Sequence, residues 1–235
     1  SWQFIYLLMH EAGKTIQDAH DEIREAVDFL RYYANRSTLF NSQSTQSGPT
    51  GEDNILEYCP KGLVACISPW NFPLAITLGQ IAAALVTGNT VIAKASEETS
   101  LIAFKAAGLF FNNGLPKDAL HLLLGDGRVG QAIITSQALD LVVFTGSLKT
   151  AKSIHNSLSN KPGKIVPLIA ETGGLNSMVV DSSALIERAC DDIMRSAFNS
   201  AGQRCLALRL LLVHETIYEE LILMLKGMMS ELIIG

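Results

Sequence analysis

The chain has 235 residues, 48% hydrophobic, 17% charged and 7% aromatic, with 18 Lys+Arg against 23 Asp+Glu for a net charge of −5. That length suffices for one large domain or two small ones with a buried core, and the hydrophobic share with only 18 Gly and 7 Pro excludes disordered, collagen-like and low-complexity chains. The acidic balance without a basic stretch argues against nucleic acid as a partner of this segment, and no basic amphipathic face points to a membrane surface.

Mean hydropathy is high at +0.25, yet apolar runs are too short or too interrupted to span a bilayer, so no transmembrane segment is expected. Cys59, Cys66, Cys190 and Cys205 form no CxxC pair, which argues against a disulfide framework and a structural zinc site. No metal is expected, and a reducing, cytoplasmic compartment fits best. The first ten residues have no initiating Met and no signal-peptide pattern. The chain opens mid-helix and reads as a piece of something longer.

In chain order, the first predicted element is an amphipathic helix over 19–33. Ile23, Ala26, Val27, Leu30 and Tyr33 face inward, and Asp21, Glu22, Arg24, Glu25 and Asp28 form the other face. Residues 41–51 break all periodicity and read as a loop or an extended crossing segment. From Gly62 onward, apolar runs at 63–67, 90–93, 120–124, 139–144 and 164–169 alternate with helical stretches at 74–85, 99–111, 128–135 and 147–158. Such strand–helix repeats are the pattern of βαβ units. The fold class is therefore α/β, a Rossmann-like parallel sheet with helices on both faces. A second block follows, with strands at 178–180 and 208–213 and helices at 185–198 and 218–232.

Several local patterns could carry chemistry. Pro69-Trp70-Asn71-Phe72-Pro73 follows a strand, where ligands sit in open α/β sheets, so the Asn71 amide could donate to a developing oxyanion. It could equally cap the next helix. Lys94 closes a strand and precedes Glu97, a pair able to grip a ribose diol while repelling a 2′-phosphate, or simply to form a solvated salt bridge. Gly125-Asp-Gly127-Arg-Val-Gly130 is a literal GxGxxG, but it follows the third apolar run and lacks the expected downstream acid, so a simple turn is the preferred reading. Phe144-Thr145-Gly146-Ser147 is the preferred phosphate-binding turn, opening a helix with free amides and a hydroxyl.

Glu171 follows an apolar strand and precedes two glycines, and Cys205 lies in a Gly-led turn beside Arg204, where a thiolate could be stabilised. Cys59, Cys66 and Cys190 read as inert buried residues. His121 is expected to pack beside its strand, and His155 to be exposed.

Taken together, Pro-Trp-Asn-Phe-Pro, Lys-x-x-Glu, Phe-Thr-Gly-Ser, Glu-Thr-Gly-Gly and Gly-Gln-Arg-Cys, in that order from Gly62 to Val213, resemble the aldehyde dehydrogenase superfamily. Residues 25–34, 66–75 and 169–178 look like one branch. That branch is the L-glutamate-γ-semialdehyde (Δ1-pyrroline-5-carboxylate) dehydrogenase module of bacterial bifunctional proline utilisation A proteins.

The resemblance implies residues 1–170 as an NAD-binding domain, incomplete at its start, and 171–235 as the beginning of a second α/β catalytic domain. It implies Cys205 as nucleophile, Asn71 with the Cys205 backbone N–H as oxyanion hole, and Glu171 as the base for thioester hydrolysis. Lys94 and Glu97 would bind the adenosine ribose, and Gly146 with Ser147 the pyrophosphate. Ser68, Pro69, Trp70, Ser96, Phe144, Thr145 and Thr150 would also contact NAD, with Gly127 and Gly130 at most near the adenine.

The resemblance further implies a small aldehyde substrate and a homo-oligomer of the full-length protein. An FAD would belong to a separate proline dehydrogenase domain not in this chain. Leu206 departs from the small Ser that the branch usually carries after the nucleophile, and Ala95 stands where a Pro commonly follows the strand-end Lys.

Overall fold

The computed structural model describes residues 2–40 and 42–233. It divides into two compact units, Ser1–Thr172 and Gly173–Gly235.

The first unit runs α1 (Trp2–Ala12), α2 (Ile16–Phe40), β1 (Ser44–Gln46), β2 (Asn54–Leu56), β3 (Leu63–Ile67), α3 (Ala75–Val86), β4 (Thr90–Lys94), α4 (Ser100–Asn112), β5 (Leu120–Leu123), α5 (Gly127–Thr135), β6 (Leu141–Gly146), α6 (Leu148–Ser159) and β7 (Leu168–Thr172). Five of the strands form a sheet in the order β5-β4-β3-β6-β7, every neighbouring pair parallel. The chain starts this sheet at β3, builds β4 and β5 on one side, then crosses back to lay β6 and β7 on the other. The ends of β3 and β6 thus flank the point where strand order reverses, the place where such sheets open a crevice.

Strand alternation explains the covering layers, because successive side chains point to opposite faces. Val64 and Cys66 of β3, with Val91 and Ala93 of β4, pack under Ile81 and Ala84 of α3 and Ala107 of α4. Ala65 and Ile67, with Val142 and Phe144 of β6, pack under α5 and α6 through Ile133, Ile134, Ala151, Ile154 and Leu158. A further layer lies outside α3 and α4: Leu8 of α1 and Ala19 and Ala26 of α2 close on Leu74, Ala75, Leu78, Ile102 and Ala106.

The second unit contains β8 (Asn176–Val180), α7 (Ile186–Phe198), β9 (Leu208–Val213) and α8 (Tyr218–Ser230). Its two strands are parallel, and Val180 and Leu208 pack with Cys190, Ile193 and Leu221 of the helices. Val179, Leu210 and Leu212 are exposed.

The predicted α/β class and the order of elements agree with this structure, and four local readings change. The 41–51 stretch is not only loop: its described part contributes β1, which pairs antiparallel with β2 across a turn closed by Glu52 N–H to the Pro49 carbonyl, 3.2 Å. The last strand of the large sheet begins at Leu168 rather than 164, because Pro167 has no N–H to donate to a ladder. Glu22, assigned to the solvated face of the first helix, is buried, whereas Val27 of the apolar set is exposed. Cys59 and His121 are also exposed, His121 on the edge strand β5. Among the described residues, no helix is long and apolar enough to cross a membrane.

Candidate active site

In a parallel sheet all carboxyl ends share one edge, so register alone gathers several of the predicted residues. Ile67 is paired with Lys94 on one side and Phe144 on the other, and Thr145 with Glu171. Asn71 follows β3, Lys94 ends β4, Ser147 follows β6, and Glu171 is the penultimate residue of β7. Glu171 therefore lies within the strand rather than after it, and it is exposed. Cys205 belongs to the second unit.

Beneath the crevice a buried polar layer ties the strand ends together. Gln80 of α3 donates to the Thr145 hydroxyl at 3.0 Å and to the Ile67 carbonyl at 3.4 Å. Its Oε1 is buried without a hydrogen-bond partner. Thr77 donates to the Ser68 hydroxyl at 2.7 Å, and Ser68 N–H continues the ladder to the Lys94 carbonyl at 3.1 Å. Pro69 is half-buried, Trp70 exposed and Asn71 half-buried.

At the end of β4 the Lys94 ammonium lies 3.2 Å from the Glu97 carboxylate, with Lys94 buried and Glu97 exposed. Ser96 donates to Glu98, and that bond, first among its causes, holds the Glu98 carboxyl below its ordinary pKa. A buried cation beside an outward-facing carboxylate can fix a diol by donating to one hydroxyl and accepting from the other.

The two glycine-bearing turns differ at the helix they open. At α5, the Asp126 carboxylate accepts from Arg128 N–H at 2.9 Å and pairs with the Arg128 guanidinium at 2.9 Å. A phosphate entering there would meet a carboxylate, and Gly127 and Gly130 lie inside this acid-capped helix. At α6 the cap is the neutral Ser147 hydroxyl, which accepts from Thr150 N–H at 3.1 Å, and the first turn has no acidic residue. The amides at the start of α6 have no carbonyl four residues back within the helix, and α6 follows the carboxyl end of β6. Such a terminus suits a pyrophosphate. A Cβ added at Gly146 would lie 2.6 Å from the Phe144 ring, so the ring would have to shift to admit one. These features fit a dinucleotide.

In the second unit, Cys205 is exposed on a short turn before β9. Three successive residues before it adopt positive φ: Ser200 at 54°, Ala201 at 53° and Gly202 at 68°. Gly202 is constrained twice, since an added Cβ would lie 2.7 Å from the Ala197 carbonyl. Asn176 at the start of β8 donates through Nδ2 to the Cys205 carbonyl at 2.6 Å and to the Ala207 carbonyl at 3.0 Å. Arg209 donates to the Gly202 carbonyl. The buried thiols are quenched by burial, Cys66 being pushed up to about 12 and Cys190 also raised.

Sequence reasoning missed Gln80, Asn176, Lys14 and Glu22. The first two carried one weak signal each, an amide in an otherwise apolar helix and an Asn opening a strand. Lys14 and Glu22 carried none, because charged residues on an amphipathic helix normally face water.

A parallel sheet with a neutral-capped helix at its switch point is the layout of a dinucleotide-binding α/β domain, and the unit that follows it in the chain presents a cysteine on a glycine turn. The aldehyde dehydrogenase family profile matches residues 2–235, and the chain belongs to that family. The chain is 47% identical over 238 residues to the bifunctional protein PutA of Salmonella typhimurium, covering 99% of this chain and 17% of that protein. A crystal structure of Bradyrhizobium japonicum proline utilization A superposes with a TM-score of 0.96 at 52% identity, over 99% of this chain and 24% of that one. The 1-pyrroline-5-carboxylate dehydrogenase from Thermus with bound NAD gives a TM-score of 0.95 at 31% identity, over 99% and 46% respectively. The expected family is thus borne out, and the chain spans less than half the length of each of these relatives.

Proposed function

We propose that this chain supplies the NAD-binding region and the nucleophile turn of an L-glutamate-γ-semialdehyde dehydrogenase, the second oxidation of proline catabolism. The observation that carries the reading is the family match along the whole chain with Asn71, Lys94, Ser147, Glu171 and Cys205 all present at their motif positions. The names of the relatives support the substrate, and the Thermus enzyme with bound NAD supports the cofactor.

The Cys205 thiolate attacks the aldehyde carbon, and the oxygen that gains charge accepts from the Asn71 amide and the Cys205 N–H. Bound NAD would supply the acceptor for the hydride that leaves the former aldehyde carbon. Loss of that hydride leaves an acyl thioester on Cys205. Glu171 then takes a proton from water as the water attacks the thioester carbonyl, releasing L-glutamate and the thiolate. Lys94 and Glu97 grip the adenosine ribose, and the Glu97 carboxylate disfavours a 2′-phosphate. Gly146, Ser147 and the first amides of α6 take the pyrophosphate. In this reading Ser68, Pro69, Trp70, Ser96, Phe144, Thr145 and Thr150 would also contact NAD, with Gly127 and Gly130 at most near the adenine.

In this reading residues 1–170 serve NAD and 171–235 open the catalytic domain. The full-length protein is a cytoplasmic homo-oligomer, and the 235 residues alone have little or no activity. The test is NADH formation from L-glutamate γ-semialdehyde by the full-length polypeptide, with Cys205→Ala as control. Turnover that survives Cys205→Ala overturns the mechanism. Faster turnover of an aldehyde lacking the amino-acid group overturns the substrate, with Leu206 as the residue responsible.

A further inference from the structure

The turn that carries Asn71 is gripped from outside the sheet by a buried ion pair that neither the cofactor site nor the chemistry uses. Lys14, in the bend between α1 and α2, lies 2.9 Å from the Glu22 carboxylate of α2, with their side chains 4% and 0% exposed. Glu22 Oε1 accepts from Leu74 N–H at 2.8 Å and Ala75 N–H at 3.1 Å. Those two amides open α3, which has no cap from its own N-cap side chain. A carboxylate 52 residues away in sequence thus does the capping. On the near side of Pro73, the Lys14 ammonium lies 3.8 Å from the centroid of the Phe72 ring, within cation–π range. Beyond the ion pair it has no hydrogen-bond partner.

A buried ion pair is a poor source of net stability, because desolvation offsets its attraction. What this pair provides is placement. The carboxylate fixes the backbone after Pro73, the ammonium fixes the ring before it, and Asn71 is the next residue back along the chain. Among the described residues the arrangement is confined to this turn. At α4 the corresponding carboxylate, Glu11, accepts from Leu101 N–H at 3.0 Å and Ile102 N–H at 2.8 Å without an ion-pair partner among the described residues.

We infer that Lys14 and Glu22 are positioning residues for the Asn71 amide, setting its aim at the oxyanion. The inference rests on Asn71 being the oxyanion donor. Displacement of a donor by a fraction of its bond length is enough to slow acylation substantially, since catalytic geometry tolerates little error.

The test is a double-mutant cycle in the full-length protein, read by the single-turnover burst of NADH, with the KM for NAD as control. Lys14→Met is expected to slow the burst roughly tenfold and leave the KM for NAD unchanged. In an Asn71→Ala background the same substitution is expected to have no further effect, which a purely structural role would not produce. Should Lys14→Met not fold, Phe72→Leu, which leaves the ion pair intact, runs the same cycle. An undiminished burst in a folded Lys14→Met, or an equal loss in both backgrounds, overturns the positioning role. An undiminished burst in Asn71→Ala overturns the reading of Asn71 itself, and the inference with it.

Discussion

The two compact units hold their functional groups by different means. In the first, a five-stranded sheet covered on both faces aligns the strand ends by register, and buried side chains such as Gln80, Thr77 and Glu22 brace each turn from below. In the second, a two-stranded sheet leaves Val179, Leu210 and Leu212 exposed, and Cys205 is positioned by three left-handed residues and the Asn176 amide. The proposed cofactor side is held by packing that many residues share. Among the described residues the proposed nucleophile turn is held by a few backbone contacts, so single changes there are expected to act more sharply.

The largest expected effect is at the nucleophile. Cys205→Ala should lower turnover in the full-length protein by on the order of 10⁴-fold or more. Iodoacetamide should label Cys205 and the exposed Cys59 while sparing Cys66, whose thiol burial pushes up to about 12. Labelling of Cys66 at neutral pH would break the contrast between a braced core and an open turn. Next, Gly202→Ala should destabilise the nucleophile turn by about 1–3 kcal/mol, because Ala at φ +68° is strained and its Cβ meets the Ala197 carbonyl. Urea unfolding followed by Cys205 accessibility reads this, and an unchanged turn would mean that the backbone is less constrained than its geometry indicates.

Smaller effects sharpen the first unit. Ser147→Ala should weaken NAD binding several-fold through loss of the α6 cap, worth about 1 kcal/mol, while Asp126→Asn leaves it unchanged. Tighter binding in Asp126→Asn together with a silent Ser147→Ala in a calorimetric titration would reassign the pyrophosphate to α5. The smallest effect is on acid stability. Asp140 accepts from Lys164 and from Leu63 N–H, bonds that hold its carboxyl below its ordinary value. Its contribution is present above the unfolded carboxylate range, near pH ~3.9, and fades as pH falls through the lower folded value. Asp140→Asn should flatten the acid limb of a stability–pH curve, and an unchanged limb would show that this clip does not matter.

Much of this was legible in the sequence because strand and helix periods follow from local alternation of apolar residues. The βαβ rhythm from Gly62 and the place of Cys205 in a glycine turn both rest on short-range patterns. The misread elements have separate causes. Strand β7 starts late because Pro167 cannot donate to a ladder, and β1 is invisible in sequence because Ser44-Thr45-Gln46 carries no apolar alternation.

Composition and spacing by themselves determined the α/β class, the family motifs and which residue types could do chemistry, since those properties reside in near neighbours along the chain. Tertiary structure alone decided that Glu22 and Lys14 would be buried together at the start of α3, that Gln80 would bridge two strand ends, and that Asn176 would hold the Cys205 turn. A charge or an amide looks solvent-bound in sequence. It becomes structural only when distant backbone amides and carbonyls, cut off from water, need a partner.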